Sequence, residues 1–201
     1  MLKVYGDYRS GNCYKIQLIC ALLNIDYQWV AIDIMKGEAS TKEMLAKNPN
    51  GKIPLIETDD GFVLTESNAI INYLAADSDL YPSDSRTCAQ IQQWQFFEQY
   101  SHEPYIAVAR FIKLYQNMPA SRLEEFHAKQ VGGLKALQLM EAHLKSSGFL
   151  VGNNMTTADI ALFAYTHVAN EGGFDLSLFP SIQNWIKRIQ QQPNYQSMKS
   201  N

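Results

Sequence analysis

Charged residues are scarce in this chain. Asp, Glu, Lys and Arg make up 18% of its 201 residues and nearly cancel, to a formal charge of −3. Lys and Arg are scattered, so there is no basic stripe to track a phosphate backbone and no polybasic patch to draw the chain to an anionic membrane; neither partner is expected. No apolar run approaches the roughly 20 residues of a membrane-spanning helix. The opening residues, Met1 to Asp7, lack the apolar core of a secretory leader. Cysteine is limited to Cys13, Cys20 and Cys88. Three is an odd number, the spacing is not that of a metal site, and free thiols in the reducing cytoplasm are the simple reading. The four histidines, His102, His127, His143 and His167, never pair at close helical ligand spacing, so no metal is expected. Internal repeats and low-complexity segments are also lacking.

What is present is enough apolar residue, 46% of the chain, to bury a sizeable core. The first 76 residues alternate between strand and helix patterns. Leu2 to Gly6 reads as a strand. From Cys13 to Leu23 the positions Ile16, Ile19, Cys20 and Leu23 recur at three and four, which predicts an amphipathic helix. Tyr27 to Ile34 is β-branched and aromatic, a second strand. Thr41 to Lys47 predicts a short helix, and Asn48-Pro49-Asn50-Gly51 a turn. Pro54 to Glu57 and Phe62 to Leu64 read as strands joined by the hairpin signal Thr58-Asp59-Asp60-Gly61. Ser67 to Ala76 is helical. The order is β-α-β-α-β-β-α.

Residues 77–85 are polar, contain Pro82 and read as a linker. From residue 86 to 201 only helical patterns follow. Arg86 to Asn117 reads as one long helical stretch, and Ser121 to Lys145 as another. Thr156-Thr157-Ala158-Asp159 has the form of a capping box opening a buried helix through Val168. Pro180 marks the first turn of a last helix that runs to about Gln191. The predicted architecture is a small α/β domain over 1–76, a linker over 77–85, and an all-helical domain over 86–201.

Three motifs in the first half stand in a fixed order: Ser10-Gly11-Asn12-Cys13 after the first strand, Asn48-Pro49-Asn50-Gly51-Lys52-Ile53-Pro54, and Glu66-Ser67 at the start of the third helix. With the capping box at Thr156 they resemble the glutathione transferase superfamily over essentially the whole length, in its serine-type form. The resemblance implies a thioredoxin-like first domain and a helical second one, in line with the pattern above. It further implies glutathione as co-substrate, a homodimer as the working unit with contacts from the Ser67 and Arg86 helices, and a small apolar electrophile as second substrate. By the same resemblance Ser67 holds the γ-glutamyl carboxylate through its hydroxyl and backbone N–H, where a helix N-terminus favours an anion. Glu66 accepts from the amine, Ile53 before a cis Pro54 pairs with the cysteinyl main chain, and Lys52 meets the glycine carboxylate. Each has a plainer reading, an N-cap pair for Glu66 and Ser67 and a solvated loop lysine for Lys52.

The thiolate is the nucleophile, so the site must lower the thiol pKa. Ser10 lies just ahead of the first helix, where a hydroxyl donor and the helix terminus act together. It is the first candidate for that role, with an N-cap as its plainer reading. Cys13 aligns with the cysteine of cysteine-type transferases and is the rival; it would turn the protein toward glutathione-dependent thiol-disulfide exchange or peroxidase chemistry. Tyr5 and Asn12 are further alternatives. A non-catalytic binding or regulatory protein on the same fold is a third reading. The electrophile is expected in the cleft between the domains, near Tyr8, Tyr105 and Ile112, the last two on one helical face at a spacing of seven.

Overall fold

A computed structural model describes residues 1–199 of the chain. It divides into two compact units. The first holds Met1–Ser78 together with the chain from Gln192 onward, and the second holds Asp79–Gln191. The expected helical domain of 86–201 is therefore corrected at its far end. The reason is local. Past Gln191 the chain turns at Pro193, and the Tyr14 hydroxyl donates to the Gln196 carbonyl at 2.7 Å, which ties the tail to the first unit.

In the first unit the elements are β1 (Leu2–Gly6), α1 (Gly11–Leu22), β2 (Tyr27–Ala31), α2 (Lys42–Lys47), β3 (Leu55–Glu57), β4 (Val63–Thr65) and α3 (Ser67–Leu74). The predicted order holds. Two short 3-10 turns, Ile34–Lys36 and Glu38–Ser40, replace the end of the predicted second strand; Asp33 starts the first by accepting from Met35 N at 2.9 Å. The sheet runs β2-β1-β3-β4. β1 and β2 are parallel, whereas β3 is antiparallel to both β1 and β4. Side chains alternate across it. Tyr5, Leu55, Ile32, Ala39 and the α2 residue Met44 cluster on one face. Val4 and Ile56, both fully buried, point to the other, where α1 and α3 pack against each other.

Helix α1 departs from the amphipathic expectation. Every residue from Cys13 to Cys20 is buried, Lys15 and Gln17 included, so it is an inner helix rather than a surface one. Gly6 explains how closely it approaches the sheet. A Cβ there would lie 2.8 Å from the Trp29 ring and 2.9 Å from the Cys13 sulfur, so a residue without a side chain is required.

The second unit contains α4 (Ser85–Phe97), α5 (Glu103–Arg110), α6 (Leu123–Leu144), α7 (Thr157–Thr166) and α8 (Pro180–Gln190). The long stretch predicted from Arg86 to Asn117 is interrupted by π-helical turns at Glu98–His102 and Phe111–Tyr115. Pro104 accounts for the first. It lacks an N–H and its ring crowds the carbonyl four residues back, so the helix widens just before it. The capping box forms as predicted, with Thr156 and Asp159 exchanging side-chain and backbone contacts. Buried Asp159 also accepts from Leu150 N at 2.9 Å and from Trp185 Nε1 at 2.8 Å, joining α7 to the fully buried Trp185 of α8. Among the described residues, no helix is long and apolar enough to cross a membrane.

Candidate active site

The sheet register assembles the three sequence motifs. Tyr5 pairs with Leu55, and Leu55 pairs with Thr65. The loop that follows β1, the residues that precede β3 and the residues that follow β4 therefore leave the same edge of the sheet. These are Ser10, Ile53-Pro54 and Glu66-Ser67. Gly6 of β1 also pairs with Ala31 at the end of β2, which brings Asp33 to that edge. Contacts between α1 and α3 close the arrangement. Ser67 donates its hydroxyl to Asn12 Oδ1 at 3.3 Å and accepts from Lys15 Nζ at 3.1 Å.

Ser10 is half-buried and caps α1 in extended geometry, φ −82° and ψ 124°, with its Oγ accepting from Cys13 N at 3.4 Å. Both functions read from the sequence, cap and candidate donor, thus share one oxygen. A hydroxyl that accepts one bond still carries its own hydrogen, which rotates to suit a partner. Cys13 lies directly behind it and is wholly buried. Burial pushes its thiol up to about 12, against the smaller opposing effects of hydrogen bonds with the Ser10 side chain and the Asp7 backbone. Tyr5 faces away from Ser10, into the cluster around Met44. Its hydroxyl donates to Glu57 Oε2 at 2.6 Å, and Lys47 donates to the same oxygen at 2.8 Å. Burial, and then the Glu57 hydrogen bond, raise its pKa. This withdraws Tyr5 as an activating group.

The Ile53-Pro54 peptide is cis, with Pro54 buried and Ile53 packed at the edge of the Met44 cluster. Lys52 is exposed, and its carbonyl accepts from Asn48 Nδ2 at 2.8 Å. Glu66 is exposed and held at φ +67°, a conformation that costs a non-glycine residue and tends to persist where a site uses it. Ser67 is buried, 6% exposed. Its hydroxyl meets Asn12 and Lys15. The start of α3 presents backbone N–H groups and the positive end of the helix dipole, which favour an anion.

Lys15 was missed. It is fully buried, and its ammonium also donates to Asn68 Oδ1 at 3.2 Å. The available signal was its spacing of three from Asn12, which puts both polar groups on one face of a helix otherwise rich in apolar residues.

Of the electrophile-site candidates, Tyr8 stacks on Trp29 with ring centroids 4.4 Å apart, two residues ahead of Ser10. Tyr105 belongs to the second unit. There it lies over Gly132, lining a cavity of about 230 Å³ with Phe97, Lys135 and Leu139. Ile112 is fully buried, so it offers no open surface to a substrate. It is removed from the set. Among the described residues, no group of three or more His, Cys, Asp or Glu side chains is arranged to hold a metal.

Comparison with known proteins agrees with this geometry. Residues 4–82 match the glutathione S-transferase N-terminal domain, and residues 97–193 match the glutathione S-transferase C-terminal domain. A crystal structure of a glutathione S-transferase from Pseudomonas fluorescens Pf-5 shares 57% identity, with a TM-score of 0.97 over 99% of each chain. The disulfide-bond oxidoreductase YfcG of Escherichia coli K12 is 30% identical over 92% of this chain and 88% of its own. The glutathione transferase URE2P6 of Phanerochaete chrysosporium, solved in complex with oxidised glutathione, has 25% identity and a TM-score of 0.84, over 96% of this chain and 92% of its own. The chain belongs to the glutathione S-transferase family.

Proposed function

We propose that the protein is a glutathione transferase in which Ser10 stabilises the glutathione thiolate for attack on a small apolar electrophile. The observation that carries this reading is the convergence of Ser10, Ile53-Pro54 and Glu66-Ser67 at one sheet edge, with Cys13 buried behind Ser10. Glutathione would lie along that edge. Its γ-glutamyl carboxylate would meet the first turn of α3, its amine Glu66, its cysteinyl backbone the main chain of Ile53, and its glycine carboxylate Lys52. The Ser10 oxygen is anchored by the Cys13 N–H, so its hydrogen can turn to the thiolate without the side chain moving. The N-terminal end of α1 adds a favourable dipole. Tyr8, held against Trp29, offers an apolar wall beside the sulfur. The working unit is a cytoplasmic homodimer, as is usual in this family.

A second reading has one specific support, the similarity to the Escherichia coli disulfide-bond oxidoreductase. In that reading the Ser10-held thiolate exchanges with a disulfide, and Cys13 still takes no part. Substitution of Ser10 tests the activation common to both. A lost hydrogen bond to a charged group is worth ~1.5–3 kcal/mol, or roughly ten- to a hundredfold in rate. Ser10→Ala should lower turnover near neutral pH by that factor, recover in part at alkaline pH, and leave glutathione affinity little changed. Parental turnover across the pH range would remove Ser10 from the mechanism. Comparing a dinitrophenyl halide with a mixed disulfide as second substrate then separates transfer from exchange.

A further inference from the structure

Arg9 immediately precedes Ser10, and its guanidinium folds back along the loop. Nε and one terminal nitrogen donate to the two carboxylate oxygens of Asp7, at 2.8 and 2.5 Å, and the Arg9 backbone N–H adds a third bond to Asp7 at 2.9 Å. The same terminal nitrogen donates to Asp33 Oδ1 at 2.7 Å, in the loop after β2. Asp7 is buried, 6% exposed, and one of its oxygens also receives Ile34 N at 3.5 Å. A single fork thus joins the loops that follow the two parallel strands.

The other end of Asp7 meets Ser10. Its carbonyl accepts from Ser10 N at 3.0 Å, closing the turn Asp7-Tyr8-Arg9-Ser10. Asp7 therefore meets Arg9 through its carboxylate and Ser10 through its backbone. The charges argue that this effect is geometric. Arg9 and Lys36, the latter 3.5 Å from Asp33, face the carboxylates of Asp7, Asp33 and Glu38, where Glu38 accepts from Asp33 N at 2.7 Å. The Arg9 charge is matched by the carboxylates of Asp7 and Asp33, which leaves the guanidinium little attraction for a thiolate. A planar guanidinium gripping both oxygens of a buried carboxylate does fix orientation, and an ammonium cannot reproduce that grip.

We infer that Arg9 is a positioning residue whose two-pronged hold on Asp7 sets the turn that presents the Ser10 hydroxyl to glutathione sulfur. The inference rests on the thiol activation proposed for Ser10. Arg9→Lys keeps the charge and loses the fork. Glutathione affinity should stay within about twofold, because the peptide ends are held elsewhere. The apparent pKa of bound glutathione, followed by thiolate ultraviolet absorbance, should rise by about one unit, with neutral-pH turnover falling roughly tenfold and recovering at alkaline pH. In a Ser10→Ala background the same substitution should add less than about a twofold loss, since its effect passes through the missing hydroxyl.

A parental pH profile for Arg9→Lys, or an equal loss with and without Ser10, would overturn the positioning role while leaving the Ser10 reading intact. A parental profile for Ser10→Ala would overturn both. If Arg9→Lys lacks a cooperative melt, Asp33→Asn takes its place. It keeps an acceptor for Met35 N and removes one carboxylate from Arg9. It should move the thiol pKa in the same direction by a smaller amount, again only when Ser10 is present, and the absence of such a shift overturns the inference.

Discussion

Cys13 is the residue whose role the fold decides most sharply, and the consequence can be measured. An exposed cysteine with a pKa near 8.5 is about 3% thiolate at pH 7. Cys13 is fully buried and pushed up to about 12, so roughly one molecule in 10⁵ carries the thiolate at pH 7. The deficit is about three orders of magnitude before access is considered, far more than the helix terminus returns. Iodoacetamide alkylation, read peptide by peptide in a mass spectrometer, should label Cys13 at least ~10³-fold more slowly in the native protein than in urea. Cys13→Ala should lose about 1–2 kcal/mol of stability, because it opens a small void against Gly6 and Trp29. Its conjugating turnover should stay within about twofold of the parent. Native Cys13 reacting as fast as in urea, or a folded Cys13→Ala protein without turnover, would refute the argument and move the chemistry to Cys13.

Two further outcomes concern stability. Lys47 and then the Tyr5 hydroxyl hold the Glu57 carboxyl down at about 2, below its ordinary 4.5. A carboxylate depressed by folding stabilises fully above its unfolded value, and that stabilisation is lost as pH falls from about 4.5 toward 2. Urea midpoints of Glu57→Gln should therefore fall less steeply over that window than those of the parent; identical acid limbs would contradict the pairing. Asp159→Ala leaves Leu150 N, Thr156 N and Trp185 Nε1 facing a void. Buried donors left without a partner cost about 1–3 kcal/mol each, so denaturant titration should show a loss of at least ~3 kcal/mol, and a loss under ~1 kcal/mol would show that another acceptor replaces Asp159.

The parts of the fold legible in the sequence are those specified by neighbouring residues. Ser10, Thr41 and Asp84 each cap the helix that follows, Thr156 and Asp159 form their box, and Pro180 opens α8. In every case the chemistry acts within three residues, so the pattern carries it. Features set by distant partners were not legible. The burial of Lys15 depends on Ser67 and Asn68, more than 50 residues away, and the tail's place depends on Tyr14, 182 residues from Gln196. The error at Ile112 has a different origin. A spacing of seven puts two residues on one helical face but does not say whether that face is open, and Ile112 is fully buried. The site lies between these cases. Its motifs are local, but their meeting is a property of register, Tyr5 to Leu55 to Thr65. Antiparallel pairing sends the end of β1, the start of β3 and the end of β4 to one edge, whatever side chains follow. The fold therefore supplies the convergence, and the residues just beyond those strand ends decide what chemistry occurs there.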